Sequence, residues 1–426
     1  MPLHFLEPDW TRNPSLQRFL FATGVECSTP TIAGPNGTSR RIDQLDKTRH
    51  YENWRLDLAL VVDLGARALR YGLPWYRVHL GPGRFDWEFP DQVMRAIRDL
   101  QIHPIVDLCH FGVPDWVGDF QNPDLPRHFA EYAGAVSSRY PWVRWFTPIN
   151  EMYICAQFSA YEGWWNERLK SHRAFVTALK NMARASIEGM RAILASRADA
   201  LFVLCESSER THARGPDHVA EADMYNSRRF LSLDLLCGRQ MSSEMYRYVR
   251  DNGMTEDEYA YFLRQRLTEH FILGQDYYAK NEWLVDDQGR RGVSGDVFGY
   301  YPIALQYARR YRLPIMHTET NSPHDPVSWL WRTWSNIRLL RNDGVPLLGM
   351  TWYSLTHQVD WDIVLREERD RVYPVGLFDL DRRITPVGVE YQKLIRSWRD
   401  TPLYPNGPLA LAADLPASNE SAPSEP

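Results

Sequence analysis

Eight short apolar runs recur along the chain, each ending in small or polar residues, and the longer segments between them can hold helices. The runs are FLFATGVE (19–26), ALRYGLPWYRVHL (68–80), HPIVDLCHFG (103–112), VRWFTPINE (143–151), ALFVLCESSE (200–209), FILGQDYY (271–278), LPIMHTETN (313–321) and VPLLGMTWYSL (345–355). They start 49, 35, 40, 57, 71, 42 and 32 residues apart, the spacing of successive β/α units with the longest insertion between the fifth and sixth strands. Between them, Val93, Ile97 and Leu100, and likewise Phe129, Ala133 and Val136, fall at i, i+4, i+7 and mark the apolar faces of helices. An open doubly wound sheet shows the same alternation, but no GxGxxG or GxxxxGK[ST] follows the first strand. The expectation is an α/β fold, a closed (β/α)8 TIM barrel. It forms one domain over residues 1–404, followed by a disordered tail at 405–426 that is rich in Ala, Ser and Pro.

Composition narrows what such a barrel acts on. Lys plus Arg number 49 against 54 Asp plus Glu, and a net charge of −5 offers no general attraction to nucleic acid or anionic lipid. The opening MPLHFLEPDWTRNPSL lacks the basic start and apolar run of a signal peptide, and no stretch of 18 apolar residues follows, so the expected setting is soluble and cytoplasmic. Cys27, Cys109, Cys155, Cys205 and Cys237 lie far apart without a CxxC pair, a pattern of reduced thiols rather than of disulfides or a metal site. Aromatic residues make up 13% of the chain, and rings with polar edges suit the C–H faces of sugars.

In a (β/α)8 barrel the reactive groups stand at the C-terminal ends of the strands. The polar residues there are Glu26, Arg70, Asp107, His110, Asn150, Glu151, Glu206, Asp276, Tyr278, Glu319, Asn321 and His357. Glu151, closing strand four after Asn150, and Glu319, closing strand seven in HTETN, form a pair. Two carboxyl groups facing one another are the equipment for splitting an acetal: one protonates the departing oxygen, and the other attacks or stabilises the oxocarbenium-like carbon. This hydrolysis needs neither cofactor nor metal. A single strand-end glutamate is as often a buried structural acid, and the pairing on strands four and seven favours chemistry. A metal-dependent amidohydrolase barrel would place His-x-His after strand one and more histidines after strands five and six, where this chain has FATGVECS, ESSE and DYYA.

These stretches resemble glycoside hydrolase family 1, the β-glucosidase family, over residues 19 to 395. RYGLPWYRV from Arg70 is similar to the family's Arg-Phe-Ser-x-x-Trp-x-Arg, CHFGVPDWV at 109–117 to its His-Trp-Asp-x-Pro, and LGQDYY at 273–278 to Gly-x-Asn-Tyr-Tyr. WYSLTHQVDW at 352–361 resembles Trp-Ser-Leu-Leu-Asp-Asn-Phe-Glu-Trp, and VGLFDLDRRITP follows where the family has Gly-Leu-Tyr-x-x-Asp. The resemblance implies a retaining β-glycosidase acting on a small carbohydrate, with carboxyl groups about 5 to 5.5 Å apart. A transglycosylase shares these residues, and a non-catalytic carbohydrate-binding barrel would most simply have lost one of the two glutamates.

By the same resemblance Glu151 is the acid/base, and Glu319 is the nucleophile, kept ionised by Arg70 and by a hydrogen bond from Tyr278. Asn150 holds the 2-hydroxyl; His110, Asp276, Trp352, Asp360 and Trp361 complete the sugar site. His317 is expected to point the same way as Glu319 but deeper, Trp164 and Trp165 to offer an aglycone platform, and Glu206 and Glu209 to be structural or at the rim. The departures cluster where the sugar is read. Met152 stands for a Pro, Thr320 intervenes before Asn321, and Asp276 replaces an Asn. GVECSTPT occupies the place of a sugar-holding Gln, Tyr353 that of a Trp floor, and Asp360 that of a Glu that binds the 4- and 6-hydroxyls. A carboxylate at Asp360 repels phosphate, so the expected glycone is glucoside-like and unphosphorylated.

Overall fold

The computed structural model describes residues 18–401, so the expected tail lies outside the described residues. Eight parallel strands close in chain order: β1 (Leu20–Gly24), β2 (Ala68–Gly72), β3 (His103–Asp107), β4 (Trp145–Thr147), β5 (Leu201–Ser207), β6 (Phe271–Asp276), β7 (Ile315–Glu319) and β8 (Leu347–Tyr353). β1 pairs with both β8 and β2, which shuts the barrel. Each apolar run read from the sequence contains one strand.

Side chains alternate across a strand, so each β-strand feeds two cores. Every strand sends residues inward: Leu20 and Ala22, Ala68, Ile105, Trp145, Leu201 with Val203 and Cys205, Ile272, Met316 and Leu348 fill the barrel. The outward positions meet the helices in a larger apolar layer. Val93 and Ile97 on helix Glu88–Asp99, and Phe129, Ala133 and Val136 on helix Leu125–Arg139, are fully buried there. Truncating a buried Phe such as Phe129 to Ala costs about 3 to 5 kcal/mol in a core of this kind. Leu100 departs from the expected face and is 42% exposed, because the helix stops at Asp99 and the chain turns at Gln101 with φ 56°.

Two features shape the mouth of the barrel. The insertion between β5 and β6 carries four helices, Val219–Arg228, Leu231–Leu236, Ser243–Asp251 and Glu256–Leu263. The loops after β5 and β6 are joined by a three-stranded sheet, in which Glu282–Val285 pairs with Arg210–Ala213 on one side and Arg291–Val293 on the other. Among the described residues no helix is long and apolar enough to cross a membrane, and all five cysteines are free.

Candidate active site

Strand alternation delivers polar side chains to the inner rim. Ala68 faces inward and so does Arg70 two residues on; Ile105 leads to Asp107, Ile272 to Asp276, and Leu20 and Ala22 to Glu26. β7 breaks the rule. Gln275 pairs with His317 but Asp276 pairs with Glu319, so Thr318 is an extra residue, a β-bulge that turns Glu319 into the mouth. His317 therefore does not follow Glu319: its ring stacks on Tyr300 at 4.3 Å, and Nδ1 donates to the Gln275 carbonyl at 2.9 Å. Glu151 reaches the mouth through a left-handed backbone (φ 40°, ψ 58°) at the start of helix Met152–Ala156, a conformation that costs a non-glycine residue free energy.

Arg70 organises the floor. Fully buried, it donates to Glu319 Oε1, to Asn150 Oδ1, and to Asp107 Oδ2 at 2.8 Å. Since Arg70 only donates, it fixes the Asn150 amide with its nitrogen toward His110, and Nδ2 donates to His110 Nε2 at 3.1 Å. His110 then carries its proton on Nδ1, which donates to Asp107 Oδ2 at 2.8 Å. Burial alone would raise the Asp107 carboxyl, but Arg70 and His110 hold it below its ordinary value. Cys27 lies beside Asp107 and His110, and the three donor atoms sit within 4.8 Å of one another, yet Arg70 at the shared carboxylate opposes a metal cation there.

The two glutamates differ in surroundings. Both Glu319 oxygens accept from donors, Oε1 from Arg70 and Oε2 from the Tyr278 hydroxyl at 2.7 Å. Glu151 has no such cation; burial, then the charges of Asp276, Glu319 and Glu206, push its carboxyl well above the ordinary value. Asp276 is also wholly buried, neither oxygen has a hydrogen-bond partner, and burial with the Glu319 charge pushes it up in the same way. A neutral carboxylic acid, with one donor and one acceptor, is close in shape to the Asn it replaces.

Above this floor opens a pocket walled by Phe111, Ile154, Phe158, Trp164, Trp283, Trp361 and Val364, with Glu151 and Glu319 in it. Further polar groups line it, among them His110, Ser207, Glu209, Asn281 and Gln358. Glu26 accepts from the Ser28 amide (2.9 Å) and from Gln358 Nε2 (3.2 Å), and Asn321 donates to the Tyr353 carbonyl (2.6 Å). Lys280, which no motif marks, enters from the turn after Tyr278, its Nζ 5.3 Å from the Tyr278 ring centre and 5.2 Å from that of Trp361. Burial lowers its ammonium from the ordinary value, against the pull of Glu151, Glu319 and Glu26.

Other expected residues lie elsewhere. Asp360 is turned away from the pocket: its oxygens accept from the backbone amides of Arg369, Asp370 and Arg371 at 2.9 to 3.0 Å, so it ties down its own loop. The left-handed backbone at Asp360 (φ 58°) sets that direction, and Gln358 and Trp361 face the pocket instead. Trp352 is buried, its indole donating to the Val375 carbonyl at 2.9 Å. Tyr353 lies flat beside His110, rings 6.1 Å apart and 4° from parallel, and only glycine fits at Gly24, where a Cβ would sit 2.3 Å from the tyrosine ring. Of the paired tryptophans, Trp164 lines the pocket and Trp165 is fully buried, donating to the Val364 carbonyl. Glu206 accepts from the Tyr153 amide behind Glu151, and burial raises its carboxyl to about 8. Glu209 stands at the rim, paired with Arg291 and Trp283. His357 accepts from the Gly376 amide.

Comparison with known proteins agrees with this architecture. The chain is similar to the β-glucosidase of Thermotoga maritima solved with glucoimidazole, with a TM-score of 0.74 and 16% identity, covering 90% of this chain and 98% of that one. Among curated relatives it is 24% identical over 165 residues to a probable inactive beta-glucosidase 14 of Oryza sativa subsp. japonica (36% of this chain, 32% of that protein). It is 24% identical over 115 residues to a 1,4-beta-D-glucan glucohydrolase of Thermotoga neapolitana (25% and 27%). The matches thus span about a third or less of the length of these relatives. The model of glycosyl hydrolase family 1 matches residues 41–280, more than half of the 426, and stops before β7 and β8. The chain belongs to glycosyl hydrolase family 1.

Proposed function

We propose that the chain is a retaining β-glycosidase that hydrolyses an unphosphorylated, glucoside-like β-glycoside through a covalent glycosyl-enzyme intermediate. The observation that carries this reading is the contrast between its two pocket glutamates. Glu319, anchored by Arg70 and Tyr278, is the nucleophile, and Glu151, desolvated among other carboxyl groups, holds a proton for the leaving oxygen. In the first step Glu319 attacks the anomeric carbon while Glu151 protonates the aglycone oxygen. In the second, Glu151 takes a proton from water as that water displaces Glu319, so the anomeric configuration is retained.

Arg70 also holds Asn150, whose amide nitrogen is directed at His110, and Glu26, Gln358 and His110 surround the sugar. The expected argument against phosphate rests on Asp360, which faces its own loop; Glu26, inside the pocket, supplies the same repulsion. Transglycosylation uses the same residues and differs only in which hydroxyl meets the intermediate.

The test is a screen of aryl β-glycosides differing in the sugar, with Glu319→Gly beside the wild type. Glu319→Gly should lose almost all activity and regain it with azide, releasing an α-glycosyl azide. Undiminished turnover in Glu319→Gly would remove Glu319 from the chemistry.

A further inference from the structure

Lys280 stands in the pocket without a counter-ion. Among the described residues it makes no ion pair; its ammonium lies over the faces of Tyr278 and Trp361 and within electrostatic range of Glu151, Glu319 and Glu26. It is not there to neutralise them. Glu319 is already served by Arg70 and Tyr278, Glu26 by Ser28 and Gln358, and Glu151 holds a proton in the reading above. Nor is it a loose surface side chain, because its turn is pinned on both sides. Asn281 donates to Ser207 Oγ at 2.7 Å and accepts from the Tyr278 amide, and Glu282 is fully buried and accepts from the amides of Phe298 and Gly299. A cation standing over two aromatic faces in a substrate pocket, without an ion pair of its own, is a receptor for an anion.

Resting on the hydrolase reading above, we propose that Lys280 is the specificity residue of this site and binds the carboxylate of a β-D-hexuronide. Tyr278 donates to the nucleophile through its hydroxyl and supports Lys280 on its ring, so one side chain links the ammonium to the residue that attacks the anomeric carbon. In a pyranoside, C5 is joined to C1 through the ring oxygen alone, and the uronate carboxyl is borne on C5. A single negative charge matches one ammonium. A phosphate, carrying about −1.5 to −2 charges, would face Glu26 and Glu319 with the same single cation.

The experiment compares kcat/KM for 4-nitrophenyl β-D-glucuronide, β-D-glucoside and β-D-glucoside 6-phosphate, and for 2-carboxyphenyl β-D-glucoside, in wild type, Lys280→Met and Lys280→Arg. Calorimetric titration with D-glucuronate and D-glucose runs alongside. The expected result is a preference for the glucuronide over the glucoside of about tenfold or more, collapsing in Lys280→Met and retained in Lys280→Arg. Preference for the neutral, phosphorylated or aglycone-carboxylated substrate, or an equal loss on all substrates in Lys280→Met, overturns the assignment while leaving a β-glycosidase. Glucuronate binding that disappears in Lys280→Met, without turnover of any substrate, upholds the assignment and removes the hydrolase reading. Absence of both turnover and glucuronate binding overturns both.

Discussion

Arg70 on β2 and Glu319 on β7 are joined across the barrel mouth, and the same guanidinium holds Asp107 and Asn150. One buried cation thereby orients Glu319, the residue preceding Glu151, and the His110–Asp107 pair. Lysine keeps the charge but lacks the planar fork that serves three acceptors at once. Arg70→Lys should therefore fold and lose about a hundredfold in kcat/KM, while Arg70→Met, which strands two buried carboxylates, should lose about 3 to 5 kcal/mol of stability as well. Denaturant unfolding beside steady-state kinetics checks both; a fully active Arg70→Lys contradicts the arrangement.

Glu151 should reveal itself by leaving-group dependence. Glu151→Ala is expected to slow glycosides of poor leaving groups by about 10² to 10⁴, and activated aryl glycosides far less, because the latter need little protonation. Since burial and neighbouring carboxylates raise the Glu151 carboxyl, the wild type is active below that raised pKa and loses activity as pH climbs through it. The basic limb should vanish in Glu151→Ala. A uniform loss across leaving groups would assign the proton to another residue.

Asp276 offers a second reading of pH. Its carboxyl is raised by burial and by Glu319, and when it ionises it adds a charge beside Arg70, Glu319 and Glu151. Asp276→Asn keeps the shape of the neutral acid and cannot ionise. Its activity at neutral pH should stay within about threefold of wild type, with the alkaline limb of kcat/KM moved to lower pH, because a charge that raises Glu151 is gone. An unshifted limb together with a large neutral loss would mean that the carboxylate itself is required.

Asp360 bears on the loop rather than on the sugar. Removing an acceptor of three backbone amides should cost about 2 kcal/mol of stability or more and open the segment after Trp361 to proteolysis. Glucoside, galactoside and 6-deoxyglucoside should suffer equally in Asp360→Ala. A loss confined to substrates with particular 4- or 6-hydroxyls would return Asp360 to the pocket.

The barrel is legible in the chain because period-2 alternation is written into each strand: Ala68 facing in carries Arg70 in, and Ile105 carries Asp107. The same rule misplaces His317, since a bulge at Thr318 leaves no mark in composition. Asp360 escapes a motif-based reading because its direction follows from a left-handed residue and three amides nine to eleven positions ahead, none of which a motif encodes. Lys280 lies outside every periodic segment, and only the packing of Tyr278 and Trp361 brings it into the pocket of Glu151 and Glu319.

The most direct measurement is the configuration of the first sugar released, followed by proton NMR before mutarotation, from whichever β-glycoside the screen identifies. Glu319 as nucleophile and Glu151 as acid/base yield the β-anomer first. Release of the α-anomer would mean a single displacement by water, and would contradict the covalent intermediate on Glu319.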